Sequence, residues 1–157
     1  MAKINPLLKD SYLKLIKNSV GVKSYRNFYA VSGGKKKDIL KNGSLSCAFF
    51  VSSVLVAFGL ISKTHMTVEK TLGDLQKNGW REIKSPKPGA ILLWEKQKQG
   101  RGDAHFHLGF VVGAKQAISN RWEHKCPVAH HIFYGAKNGK PARKIEKIFW
   151  HEKLNEP

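Results

Sequence analysis

Acidic residues are scarce in this chain: 11 Asp and Glu stand against 28 Lys and Arg, which leaves a formal charge of +17. Such a balance disfavours cationic partners and favours polyanions: nucleic acid, an anionic membrane surface or an anionic cell-wall polymer. Cysteine is scarcer still. Two residues, Cys47 and Cys126, are too few for a disulfide-stapled scaffold, and no CxxC pair is present. No apolar run reaches the roughly 18 residues that a transmembrane helix needs. The first 18 residues, "MAKINPLLKDSYLKLIKN", contain lysines but no uninterrupted apolar core and no small-residue cleavage site, so no secretory signal is expected. On that expectation the protein stays inside the cell, leaves it by a non-classical route, or is already in a mature form, and its location stays open. Internal repeats, low-complexity tracts and Pro-rich linkers are also lacking. Residues 1–157 therefore read as a single domain.

What is present falls into two halves. Residues 6–18 place Leu7, Leu8, Tyr12, Leu15 and Ile16 on one face of an amphipathic helix. Residues 19–43 mix aromatics with Gly33-Gly34 and read as a long loop with short helical pieces. A second helix is expected from about Ser44 to Leu60, apolar nearly all round and therefore buried on most sides. A third, at about 67–78, is capped by Thr67 and stopped by Gly79. After that the period changes to two: "GWREI", "GAILLWEK", "HFHLGFVVG", "QAISN", "VAHHIFYG" and "KIEKIFWHE" read as strands. Helices followed by strands predict an α+β fold with helices packed on an antiparallel sheet of about five to six strands.

The chemistry centres on "NGSLSCAFFVSSVL", residues 42–55. Cys47 lies in the first turn of the most apolar helix, flanked by Ser44 and Ser46. Cysteine in such a helix is often plain core. At a helix N-terminus, however, the partial positive charge favours thiolate, and an adjacent histidine does the same. These two devices predict a thiol pKa below that of a free cysteine. Of seven histidines, His107 heads the apolar strand "HLGFVVG", where a base could meet the helix end, and His105 shares its strand face. The next strand, "QAISN", ends in Ser119 and Asn120, either of which could orient an imidazole.

The succession "FYAVSGG" (28–34), "SLSCAFFVSSVL" (44–55), "GWREIKSPKPGAILLWE" (79–95), "HLGFVVG" (107–113) and "AISN" (117–120) resembles the NlpC/P60 group of papain-like cysteine peptidases and the related CHAP amidases. The resemblance implies Cys47 as nucleophile and His107 as general base. It puts the third catalytic position at Ser119 by strict count or at the adjoining Asn120, the preferred assignment because an amide orients imidazole better. Tyr29 matches the family's active-site tyrosine, and Ser46 would stand beside the oxyanion. The implied substrate is the peptide part of peptidoglycan, hydrolysed through a thioester without a cofactor or metal. Two departures affect the electrostatics. Asp-Cys-Ser has become Ser46-Cys47-Ala48, and Pro-Gly-Asp has become Pro88-Gly89-Ala90.

Two rival readings use other residues. His105, His107, His124, Cys126, His130 and His131 form a dense run that could supply zinc ligands, although adjacent strand positions such as His130 and His131 point to opposite faces. The basic charge, interleaved with Trp80, Trp94, Trp122 and Trp150, could serve nucleic-acid binding, either in a dedicated module or in an inactive relative of the hydrolases.

Overall fold

The computed structural model describes residues 1–155 and is an α+β structure. Its elements are α1 (Leu8–Asn18), β1 (Tyr29–Ser32), β2 (Lys35–Asp38), α2 (Cys47–Ala57), α3 (Val68–Lys77), β3 (Arg81–Glu82), β4 (Ile91–Lys98), β5 (Ala104–Val111), β6 (Gln116–Arg121), β7 (Cys126–His131), β8 (Ala136–Lys137), β9 (Lys140–Pro141) and β10 (Ile145–Trp150), followed by a 3-10 turn at Glu152–Leu154. Six strands form one antiparallel sheet in the order β3-β10-β4-β5-β6-β7. Strands β4 to β7 make a meander, and β10 returns to pair with the free side of β4.

Strand parity sorts the residues into two faces. Ile91, Leu93, Leu108, Phe110 and Ile118 face the helices: the Phe110 ring meets Phe50 of α2 and Tyr12 of α1 edge-on, at 5.5 and 5.7 Å. Burial of each such side chain contributes roughly 1.5–3 kcal/mol. The opposite face carries Trp94, His107, Gly109 and Ser119, and it is covered by the segment 132–143. There the Trp94 indole donates to the Ile132 carbonyl at 2.6 Å.

Helix α1 buries Tyr12 and Ile16 fully but leaves Leu7 and Leu15 exposed, so its apolar face is narrower than the pattern suggests. Helix α2 begins three residues later than expected. Lys41 and Asn42 adopt positive φ, and Gly43 follows at φ 92°, so Ser44 lies in a turn and Ser46 becomes the residue before the first helical position. Helix α3 is capped as expected, with the Thr67 hydroxyl accepting from the Lys70 N–H. The segment 19–43 differs from expectation. Instead of a loop with helical pieces it contains the hairpin β1–β2, turned at Gly33-Gly34 with φ of 58° and 73°. Such a two-residue turn needs positive φ at both positions, which glycine supplies without strain.

Candidate active site

The turn that launches α2 is pinned to the end of the sheet. Gly43 approaches the backbone of Lys125 so closely that a Cβ would stand 2.6 Å from its carbonyl oxygen. The Asn120 side-chain amide donates to the Gly43 carbonyl at 2.8 Å, and Arg26 Nε donates to the Lys125 carbonyl at 2.8 Å. The first helical bond of α2 runs from the Phe50 N–H to the Ser46 carbonyl. The Cys47 and Ala48 N–H groups therefore have no acceptor within the helix.

Cys47 is partly exposed towards a cavity of about 200 Å³ that it lines together with Ser44, Ala48, Phe106, His107 and Asn120. The cavity thus brings together the expected nucleophile, base and preferred third residue. Burial pushes the Cys47 thiol above its ordinary pKa. The N–H groups of Leu108, Ala48 and Cys47 and the charge of Arg143 pull the other way without overcoming it. The lowered thiol pKa anticipated from the helix end and the histidine is therefore not what the site holds at rest. His107 is 4% exposed, and burial holds its imidazole well below the usual value, with Arg143, His130 and Arg121 adding to the effect. The resting site pairs a neutral thiol with a neutral imidazole.

His107 lies on the Trp94 side of β5. Its ring centroid is 5.5 Å from Trp94 and 6.2 Å from Tyr134, and neither nitrogen has a hydrogen-bond partner among the described residues. No hydrogen bond joins it to Cys47, Asn120 or Ser119. Ser119 is engaged elsewhere, 2.7 Å from His130 Nε2 and 2.9 Å from the Tyr134 hydroxyl. Since His130 Nδ1 faces the His131 carbonyl at 2.8 Å and must donate to it, neutral His130 accepts at Nε2. The Ser119 hydroxyl then donates to His130, and Tyr134 donates to Ser119. Asn120 keeps Oδ1 buried without a partner, as does the Ser46 hydroxyl, whose residue is fully buried. Tyr29 lies on the exposed hairpin with Lys36 over its ring and does not line the cavity. His105 and His107 share strand parity as expected, but His105 is exposed while His107 is buried.

Two residues outside the expected set border the site. Tyr134 and Arg143 flank His107, and both are within electrostatic reach of the Cys47 sulfur. No sequence signal marked Arg143, one basic residue among many, and Tyr134 lay within a segment read as strand. The structure ends β7 at His131 and puts Tyr134 in a turn at φ 57°.

Both cysteines are free. Among the described residues no three His, Cys, Asp or Glu side chains gather closely enough to hold a metal ion. The histidine run is dispersed by its own bonding, with His130 on Ser119 and His131 Nδ1 accepting from the Phe133 N–H. Trp80, Trp94 and Trp150 are buried, which leaves only Trp122 exposed for stacking on a nucleic acid. No described helix is long and apolar enough to cross a membrane. No protein-family model matches the chain, and no curated protein matches it in sequence.

Proposed function

We propose that this protein is a papain-like cysteine hydrolase of the NlpC/P60 type that cleaves an amide bond, with the peptide part of peptidoglycan as the leading substrate class. The observation that carries the reading is the meeting of Cys47, at the start of the buried helix α2, and His107, near the start of β5, in one cavity.

The chemistry follows from the protonation states. A neutral imidazole is the form that can accept a proton, so His107 takes the thiol proton as the Cys47 sulfur attacks the amide carbon. Among the described residues both nitrogens are unpartnered, and ring packing on Trp94 and Tyr134 holds the imidazole. The proton transfer therefore requires this side chain, which rests on the Trp94 face of the sheet, to reorient towards the sulfur. The carbonyl oxygen gains negative charge at the helix N-terminus, where the Cys47 and Ala48 N–H groups receive it. The C–N bond breaks as His107 returns the proton to the departing amine. Water then attacks the thioester, releasing the acid and restoring the thiol. The +17 charge suits an anionic wall polymer.

Incubation with muropeptides, read by mass spectrometry, tests this. Wild-type protein should release a new amine and a new carboxylate. Cys47→Ala should abolish turnover, and His107→Ala should lower it by about a thousandfold or more. Turnover that survives Cys47→Ala would remove the thiol from the mechanism. Binding of the muropeptides without any turnover by the wild type would favour a catalytically retired binding protein.

A further inference from the structure

At His107 the cavity around Cys47 borders a second one. The two share Gln99 and His107, and the second, of about 240 Å³, is walled by Arg121, Trp122, Tyr134 and Arg143. Its charges are out of balance. Arg143 is 8% exposed, and it donates through Nε and Nη2 to the Glu95 carbonyl and through Nη2 to the His105 carbonyl. Among the described residues Nη1 makes no hydrogen bond, and no described carboxylate lies within ion-pair distance of the guanidinium. Burying a cation without an anion is costly, and native structures rarely leave one so.

The neighbours add to the imbalance. Arg121 places a second guanidinium over the Tyr134 ring, 5.0 Å from its centroid, while Arg143 stands 6.0 Å from the same centroid. The buried His107 imidazole, with both nitrogens free, lines the same space. The one acid in the wall is Glu123, exposed, which reaches Arg121 Nη2 at 2.9 Å.

We infer that this cavity is a carboxylate-binding subsite, in which Arg143 Nη1 and Arg121 take an anionic group of the substrate. A carboxylate matches the planar guanidinium donors and relieves the repulsion between the two cations. Glu123 occupies part of Arg121 when no ligand is bound and is displaced by the incoming anion. The inference rests on the hydrolase reading only in placing that carboxylate next to the scissile amide. It selects substrates that bear an acid within a residue or two of the cleaved bond.

The test is a binding measurement on the full chain carrying Cys47→Ala, with the arginine Nε–H and tryptophan indole N–H signals followed by NMR. The probes are N-acetylglycine, its neutral analogue N-acetylglycinamide, and inorganic phosphate. N-acetylglycine should shift the Arg143, Arg121 and Trp122 signals saturably and bind at least about tenfold more tightly than the amide. Glu123→Gln should tighten that binding several-fold by freeing Arg121, and Arg121→Gln should weaken it about tenfold. Equal response to acid and amide, tighter binding of phosphate, or indifference to both substitutions would overturn the assignment. Because the variant lacks the nucleophile, these results do not depend on whether the wild type turns over any substrate.

Discussion

Asn120 and Gly43, 77 positions apart, are joined by a 2.8 Å hydrogen bond that ties β6 to the turn in front of Cys47. Asn120→Ala leaves the buried Gly43 carbonyl without its partner, a loss of about 1–3 kcal/mol. Thermal unfolding should show this cost. No bond links Asn120 to His107, so the His107 imidazole should titrate unchanged in the variant. A displaced titration would instead make Asn120 an orienting group for the base.

The Cys47 thiol should be slow to alkylate at neutral pH. Burial raises its pKa, so the thiolate fraction stays small until the pH passes the free-thiol value of about 8.5. Iodoacetamide labelling followed by intact mass should give a half-maximal rate at or above that pH. Arg143→Met, which removes a charge that lowers the thiol, should move the midpoint higher still. A wild-type midpoint near pH 7 would show that a thiolate–imidazolium pair forms at rest.

Stability should fall on mild acidification. His107 is held well below 6.5, and His130 is held at about 4, chiefly by burial. Between those values and 6.5 the unfolded chain takes up protons that the folded chain refuses. The contribution is therefore complete above pH 6.5 and is lost as the pH drops, by up to about 1.4 kcal/mol per pH unit for each imidazole. A Tm profile from pH 7 to pH 4 checks the slope. His130→Asn should flatten it.

Asp74 locks the connection between α2 and α3. Its carboxylate accepts from the Ser62 and Lys63 N–H groups and from Asn78, and it sits 2.7 Å from His65 Nε2. Burial opposes its charge, yet the bonds from His65, Ser62 and Lys63 hold its pKa down at about 2. The stabilisation is present above pH 4 and disappears as the pH falls towards 2. Asp74→Ala should cost about 2–4 kcal/mol in denaturant unfolding at pH 7. A loss under 0.5 kcal/mol would place the lock at the solvent-screened level of a surface pair.

Gly109 permits the close packing of β5 under Trp94. A Cβ there would stand 2.7 Å from Ser119 Cβ, 2.8 Å from the Ile118 carbonyl and 2.9 Å from the indole. Two of those neighbours cannot yield easily, so Gly109→Ala should destabilise by about 1–3 kcal/mol or more. A Tm equal to wild type would mean that the strands separate without cost.

Much of this architecture was readable because periodicity reports burial. The change from period 3.6 to period two after Gly79 fixed the α+β order, and the apolar runs of "GAILLWEK" and "HLGFVVG" became β4 and β5. The hairpin β1–β2 was not readable, since strands built from "YAVS" and "KKKD" are almost wholly exposed and show no alternation. At the site, Cys47, His107 and Asn120 could be nominated by position along the chain. The partner of Ser119 could not, because strand register says which residues are opposite, whereas hydroxyl direction depends on what the next turn brings back. Tyr134 and Arg143 arrive by such a return, through the segment 132–143, which carries no pattern of its own.

The Trp94 indole lies without solvent contact between two imidazoles, its centroid 5.5 Å from both His107 and His130. A protonated imidazole at that range quenches indole fluorescence, whereas a neutral one does so far less. The protein therefore carries an optical probe of its own centre: in a variant with Trp80, Trp122 and Trp150 replaced by Phe, the emission of Trp94 records when either neighbour acquires charge.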